Sequence, residues 1–212
     1  MELMNESQMA PDASQNDDDL FVRLRGGDEQ AFVTLYRRRE GAIYRFAMHM
    51  SGSATAAEDI TQEVFLTLLR GDCGYDPKRG TLSGYLFGIA RKLVLRNLER
   101  SRADVSLEAD GDEVALPELA VHENALADLT RREGIETLRR AVLALPRRYR
   151  EVVILCDLEE LDYADAAVVV GCPIGTVRSR MHRARALLLE KLHQDRNPKL
   201  EVGPLKPMRC AI

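Results

Sequence analysis

The chain has 212 residues, 45% of them hydrophobic and 30% charged, which describes a soluble globular protein of one domain or two small ones. It has no Trp and only 5% aromatics, which suits helical packing on Leu, Ala and Val better than a β-sandwich. A formal net charge of -4 argues superficially against a nucleic-acid partner, but the distribution of the charge points the other way.

Acid is concentrated in two stretches. The N-terminal stretch carries Glu2, Glu6, Asp12, Asp17, Asp18 and Asp19 with no Lys or Arg before Arg23, and the middle adds Asp104, Glu108, Asp110, Asp112, Glu113, Glu118 and Glu123. What remains is neutral or basic. There is no secretory apolar region and no apolar run long enough to span a bilayer, so a cytoplasmic protein without membrane insertion is expected. Cys73, Cys156, Cys172 and Cys210 show no C-x-x-C and no His/Cys ligand spacing. They are read as reduced thiols, and neither metal nor cofactor is expected.

In chain order, residues 1–19 form a polar acidic tail, expected to be disordered. A helical region starts near Asp19. Phe32, Leu35, Tyr36, Ile43, Tyr44, Ala47 and Met50 recur at helical spacing through 29–50, and Arg37, Arg38 and Arg39 read as a solvated face. Ser51-Gly52-Ser53 breaks the pattern. A helix over about 55–70 follows, with Thr55-x-x-Glu58 as its capping box. Ala57, Ile60, Val64, Phe65 and Leu68 gather on one side of it. Asp59, Gln62, Glu63 and Leu66 gather on the other, and acid around an exposed Leu suits docking to a basic partner.

Residues 71–81 (GDCGYDPKRGT) are turn-rich and carry Tyr75, Lys78 and Arg79. A helix over 82–100 buries Leu82, Leu86, Ile89, Ala90 and Leu93. Its other sides carry Tyr85, Arg91, Lys92 and Arg96. Aromatics beside cations can stack on unpaired bases and hold their phosphates; packing alone is the plainer account of Tyr75 and Tyr85. From 101 to 129 the periodicity fades into an acidic linker, with a short helix at Leu119 to Leu129 as an option. Arg131 to Leu145 opens a second domain, Pro146 ends that helix, and Arg147 to Leu158 turns Val152, Val153 and Leu155 inward.

Two helical patterns close the ordered part. Tyr163 to Val170 is capped by Asp162; Gly171 gives the permissive backbone of a tight corner, and Pro173 suits the start of the next helix. There Ile174, Val177, Met181, Ala184, Leu188 and Leu192 form one buried stripe. Arg178, Ser179, His182, Arg183 and Arg185 lie opposite. Five cations on this helix face a single acid, Glu190, which is the pattern of a DNA-binding helix-turn-helix with a basic recognition helix. Residues 194–212 contain three prolines and read as a disordered tail.

Three segments carry a family resemblance: AEDITQEVFLTLL at 57–69, YDPKRGTLSGYLFGIARKL at 75–93, and LPRRYREVVILCDLEELDYADAAVVVGCPIGTVRSRMHRARALL at 145–188. In this order they resemble the bacterial RNA polymerase sigma factors of the sigma-70 family, in the extracytoplasmic-function group, over about residues 20–193. The resemblance implies an all-α chain of two small domains, sigma-2 at 20–100 and sigma-4 at 130–193, joined by a flexible acidic linker. It implies docking of Asp59, Gln62, Glu63 and Leu66 on the clamp helices of the largest subunit of core RNA polymerase. It further implies opening and reading of a minus-10 element by the segment holding Tyr75, Lys78, Arg79, Tyr85, Arg91, Lys92 and Asn97. Thr176, Arg178, Ser179, His182, Arg183 and Arg185 would meet the minus-35 element. An anti-sigma factor is admitted as a further partner. Tyr85 stands where family members often carry Trp, Lys92 where they often carry Asn, and His182 is an uncommon recognition residue.

The expected function is therefore promoter-specific transcription initiation, without catalytic chemistry of its own. Two rivals stay open on sequence. A free-standing helix-turn-helix regulator would bind an operator without polymerase, and it leaves the 59–66 face and the 75–97 segment unexplained. An enzyme would need a nucleophile triad, a metal cluster or a phosphate-cradling loop, and Gly26-Gly27 lacks the context for the last.

Overall fold

Local capping chemistry decides where several of the helices begin. In the computed structural model, which describes residues 16–70, 74–105 and 127–196, Asp28 accepts from the amides of Gln30 and Ala31 at 3.0 and 3.2 Å and starts α2 (Glu29–Ser51). Ser53 accepts from Ala56 at 3.3 Å and starts α3 (Ala54–Leu69). The cap is Ser53, not Thr55, because the chain needs only Gly52 in the left-handed region (φ 75°) to turn from α2 into α3. Ahead of them lies α1 (Asp17–Arg25); after them come a 3-10 turn (Pro77–Arg79) and α4 (Leu82–Val105). α5 (Ala127–Leu143), α6 (Arg147–Val153) and a π-helical turn (Ile154–Leu158) lead to α7 (Tyr163–Val170) and α8 (Ile174–Arg196). No strand occurs among the described residues.

α2 is the hub, packed by α1, α3 and α4. Leu35, Ile43, Phe46, Ala47 and Met50 are at most 1% exposed. Each large side chain of this kind contributes roughly 1.5–3 kcal/mol when withdrawn from water. Phe46 meets Phe87 of α4 edge-on, and Tyr36 lies 4.7 Å from the ring centre of Phe65 on α3. In the second half α8 is clasped by α5, α6 and α7 over Val177, Met181 and Ala184. The buried side chains of both halves form one continuous apolar cluster, and α7 rests directly on α4.

The structure departs from several expectations. Asp17 to Asp19, expected in the acidic tail, instead open α1, and Asp17 is buried. Its carboxylate takes Arg38 at 2.8 Å and also Arg39, so two of the three arginines of the expected solvated face pin α1 onto α2. Ile174 is 39% exposed, because the first residue of α8 precedes the point where its neighbours cover it. α4 runs to Val105 and α5 starts at Ala127, both inside the expected linker of 101–129. The rest of that linker, residues 1–15 of the expected tail and 197–212 of the C-terminal one lie outside the described residues.

One half-buried histidine makes stability depend on pH. His49 sits in the last turn of α2, with no partner for Nδ1 among the described residues. Burial first, then the charges of Arg139 and Arg45, hold its pKa below the ordinary 6.5. The unfolded chain therefore takes this proton at higher pH than the folded one. The stability due to neutral His49 is full above 6.5 and is lost as pH falls through the lower folded value. Glu159, raised by burial against the pull of Arg45, has the opposite sign, but in the carboxylate range. The melting temperature should fall between about pH 7.5 and about pH 5.5, and His49→Gln should reduce that fall. Equal slopes in the two chains would exclude His49 as the source.

Candidate nucleic-acid and polymerase interfaces

Three surfaces are built by these helices. The first is the outer face of α3. With Ala57, Ile60, Val64, Phe65 and Leu68 all buried, the helix has no choice but to present Asp59, Gln62 and Leu66 to solvent. Glu63 is half-buried and paired with Arg70 at 2.9 Å. Leu66 is 47% exposed, and Leu69, one turn on, is 48% exposed. Leu69 extends the apolar part of this face, and the only sign of it in the sequence is its i, i+3 spacing from Leu66.

The second surface is the 3-10 turn with α4. Asp76 caps that turn through the amide of Lys78 at 3.0 Å, leaving Lys78 and Arg79 exposed. Tyr75, Arg79, Tyr85, Arg91 and Lys92 line one cleft of about 890 Å³, and Asp165 and Val168 of α7 form its opposite wall. Lys78 and Asn97 stand outside it; Asn97 is half-buried further along α4. The Tyr75 hydroxyl donates to Asp18 at 2.5 Å, and its ring packs edge-on against Phe21. Burial and the Asp18 carboxylate raise its pKa, so Tyr75 is a packed anchor. Tyr85 leans against it with ring centres 5.4 Å apart and planes tilted by 47°, and stays half-exposed to the cleft. Arg91 is ion-paired with Glu151 of α6, and Lys92 is exposed.

The third surface is α8. Asp162 caps α7 through the amide of Asp165 at 2.7 Å, and Gly171 turns the chain at φ 73° into α8. Because Val177, Met181 and Ala184 are buried, Arg178, Ser179, His182 and Arg183 project together from the opposite side. Thr176 is half-buried at the start of that face, and its carbonyl accepts from the Ser179 hydroxyl at 3.0 Å. Arg185 is exposed but clasped by Asp157 through two bonds of 3.1 and 2.6 Å. Asp157 sits in the π-helical turn, 28 residues earlier, where sequence pattern gives no hint of it. Sequence reasoning also misses Arg148 and Tyr149. Arg148 stacks over the Tyr149 ring at 4.8 Å, and Arg183 hydrogen-bonds the Tyr149 phenol, whose pKa falls chiefly for that reason. Tyr149 thus gathers two arginines at the edge of the α8 face.

Among the described residues no group of His, Cys, Asp and Glu is placed to hold a metal ion, and no helix is long and apolar enough to cross a membrane. Cys156 is half-buried, and burial pushes its thiol up to about 11.

Comparison with known proteins gives the same order of parts. Residues 35–103 match the family described as Sigma-70 region 2, and residues 135–188 match Sigma-70, region 4. The ECF RNA polymerase sigma factor SigW of Bacillus subtilis is 30% identical over 178 residues, covering 80% of this chain and 93% of that protein. The ECF RNA polymerase sigma factor SigE of Mycolicibacterium smegmatis is 35% identical over 176 residues; the match takes in 78% of this chain, which spans 64% of that relative's length. A solved structure of the sigma factor RpoE with the anti-sigma factor NepR, from Bartonella quintana, superposes with a TM-score of 0.61 at 26% identity. It covers 77% of this chain and 98% of that one.

Proposed function

We infer the role of this chain from a premise the matches establish: it belongs to the sigma-70 family, in the extracytoplasmic-function group of RNA polymerase sigma factors, and acts in transcription initiation. The observation that carries the detailed assignment is the α8 face, where Arg178, Ser179, His182 and Arg183 stand clear of a buried Val177–Met181–Ala184 seam. A groove-entering helix needs that division. Residues 130–193 form the half that reads a minus-35 element. Residues 20–100 form the half that docks on core polymerase through α3 and opens a minus-10 element through the 75–97 segment. The chain binds and positions; it supplies no catalytic step. An anti-sigma factor is a fitting partner, since a structural relative was solved with one.

Transcription from a randomised promoter library by core polymerase plus this chain tests the assignment. Selective transcripts sharing two spaced elements are expected, and output equal to core alone would refute it.

Two substitutions test the minus-35 face and a third tests the cleft. Arginine that pairs with guanine through two bonds discriminates by about 1–3 kcal/mol, so Arg183→Ala should change the preferred base at one minus-35 position. Arg185 meets phosphate only by leaving Asp157, so Arg185→Ala should weaken all sequences alike and lower the salt slope by about one counterion. The reverse pattern would mean that the reading face is rotated. Tyr85→Ala should slow promoter opening, since stacking of a base on an aromatic is worth about 1–3 kcal/mol, and should leave a duplex minus-35 fragment bound. Unchanged permanganate reactivity of minus-10 thymines would remove Tyr85 from the assignment.

A further inference from the structure

Tyr149 reaches the α8 face from another helix and from a rigid footing. Its amide donates to the Pro146 carbonyl at 2.8 Å in the first turn of α6. Its neighbour Arg150 is tied to the carbonyls of Met50 and Leu145 at 3.0 and 3.2 Å, which fixes this turn relative to α2. The tyrosine is 8% exposed and belongs to the apolar cluster where α6 packs along α8. A tyrosine has two side-chain torsions, and burial of the ring settles both.

The groups that meet this ring are of the opposite kind. Arg148 and Arg183 are both exposed. A long exposed arginine samples many rotamers, and ordering it against a base edge lowers affinity. Burial of Val177, Met181 and Ala184 fixes the rotation of α8 and so places the Arg183 backbone, but it leaves the far end of that side chain undetermined. The phenol oxygen accepts a hydrogen bond from Arg183 and removes this freedom. Arg148 lies 4.8 Å from the ring centre and braces the ring from outside. A guanidinium carries five N–H groups and guanine takes two of them, so a bond to the phenol leaves enough donors for a base.

We propose that Tyr149 is a positioning residue for minus-35 readout: its phenol holds the Arg183 guanidinium in the pose that meets a guanine edge in the major groove. Base selectivity at that position is then set jointly by α6 and α8. This rests on the assignment of the α8 face to the minus-35 element. It goes beyond that assignment by naming a residue off the recognition helix that acts on the choice of base through Arg183 and touches no base itself.

Tyr149→Phe supplies the test, because it keeps the packed ring and removes only the hydroxyl. The full chain with core polymerase is titrated with four fluorescein-labelled promoter fragments that differ at the minus-35 position where Arg183→Ala alters the preference. The ratio of affinities for the best and worst base should fall about threefold to tenfold in Tyr149→Phe, the size of one net hydrogen bond. In an Arg183→Ala background the same change should leave the ratio where Arg183→Ala alone puts it. A wild-type ratio in Tyr149→Phe would overturn the positioning role, as would an equal weakening of all four fragments, which packing alone explains. A further loss of ratio in the Arg183→Ala background would also overturn it, since Tyr149 would then act without Arg183. If Tyr149→Phe does not fold, the free wild-type chain decides by NMR: the Nε–H of Arg183 should show an order parameter above about 0.6, and a lower value would overturn the clasp. Failure of the underlying assignment reads out separately, as Arg183→Ala with wild-type preference at every minus-35 position, and the positioning role would fall with it.

Discussion

Leu66→Arg is expected to remove binding to core polymerase while leaving the fold unchanged. Leu66 is 47% exposed in the last turn of α3, and Arg is nearly as good a helix former as Leu, so the melting transition should stay within about 0.5 kcal/mol. On the proposed docking face the same change inserts a cation among Asp59, Gln62 and Glu63, where the acidic surroundings imply a basic counterpart. Like charges brought together at an interface cost several kcal/mol, which lowers affinity by about a hundredfold or more. Fluorescence titration against core polymerase reads this directly. Wild-type affinity in a folded Leu66→Arg chain would assign polymerase docking to another surface. Leu69→Arg should act in the same direction, since Leu69 continues the patch at i+3.

What the sequence makes legible is local. α7 starts at Asp162 and the corner into α8 falls at Gly171 and Pro173, because a cap, a left-handed position and a proline just ahead of a helix are properties of single residues and their immediate neighbours. The Val177–Met181–Ala184 seam follows from a period that any helix must respect. The order of three motifs points to the family, and the matches over 35–103 and 135–188 agree with it.

What escapes is pairing across distance. Arg91 and Glu151 are 60 residues apart, Arg45 and Glu159 are 114 apart, and neither pair leaves a trace in periodicity. Arg38 and Arg39 look solvated in the sequence because the carboxylate that buries against them lies in a stretch whose composition resembles a tail. Tyr75 illustrates the remaining ambiguity. An aromatic beside Lys78 and Arg79 could stack on a base, yet its hydroxyl is committed to Asp18 and its ring to Phe21. Only the positions of α1 and α4 separate it from Tyr85, which faces the cleft.

Arg150→Met is expected to cost the folded chain about 2–4 kcal/mol, estimated from the carbonyls it strands. Helices leave their last carbonyls unpaired, and Arg150 answers two such ends at once. Its guanidinium donates to the carbonyl of Met50 at the end of α2 at 3.0 Å, to that of Leu143 at the end of α5, and to that of Leu145 at 3.2 Å. Met50 and Leu145 are buried residues, so water has little access to replace the lost donors. A cation between two helix C-termini is also favoured by both dipoles. Against this stands the desolvation of the guanidinium, which lowers the Arg150 pKa, so the loss is smaller than three separate hydrogen bonds would suggest. Met keeps most of the apolar volume of the stem, which isolates the polar contribution. Lys reaches at most part of the set and should restore only a fraction. Urea unfolding of the full chain measures the change, with the midpoint shifted and the slope preserved. Because the clasp ties α2 to α5, Arg150→Met should also raise amide exchange at the ends of both helices before global unfolding. A shift below about 0.5 kcal/mol would show that these carbonyls find other donors, and that Arg150 does not tie the two halves together.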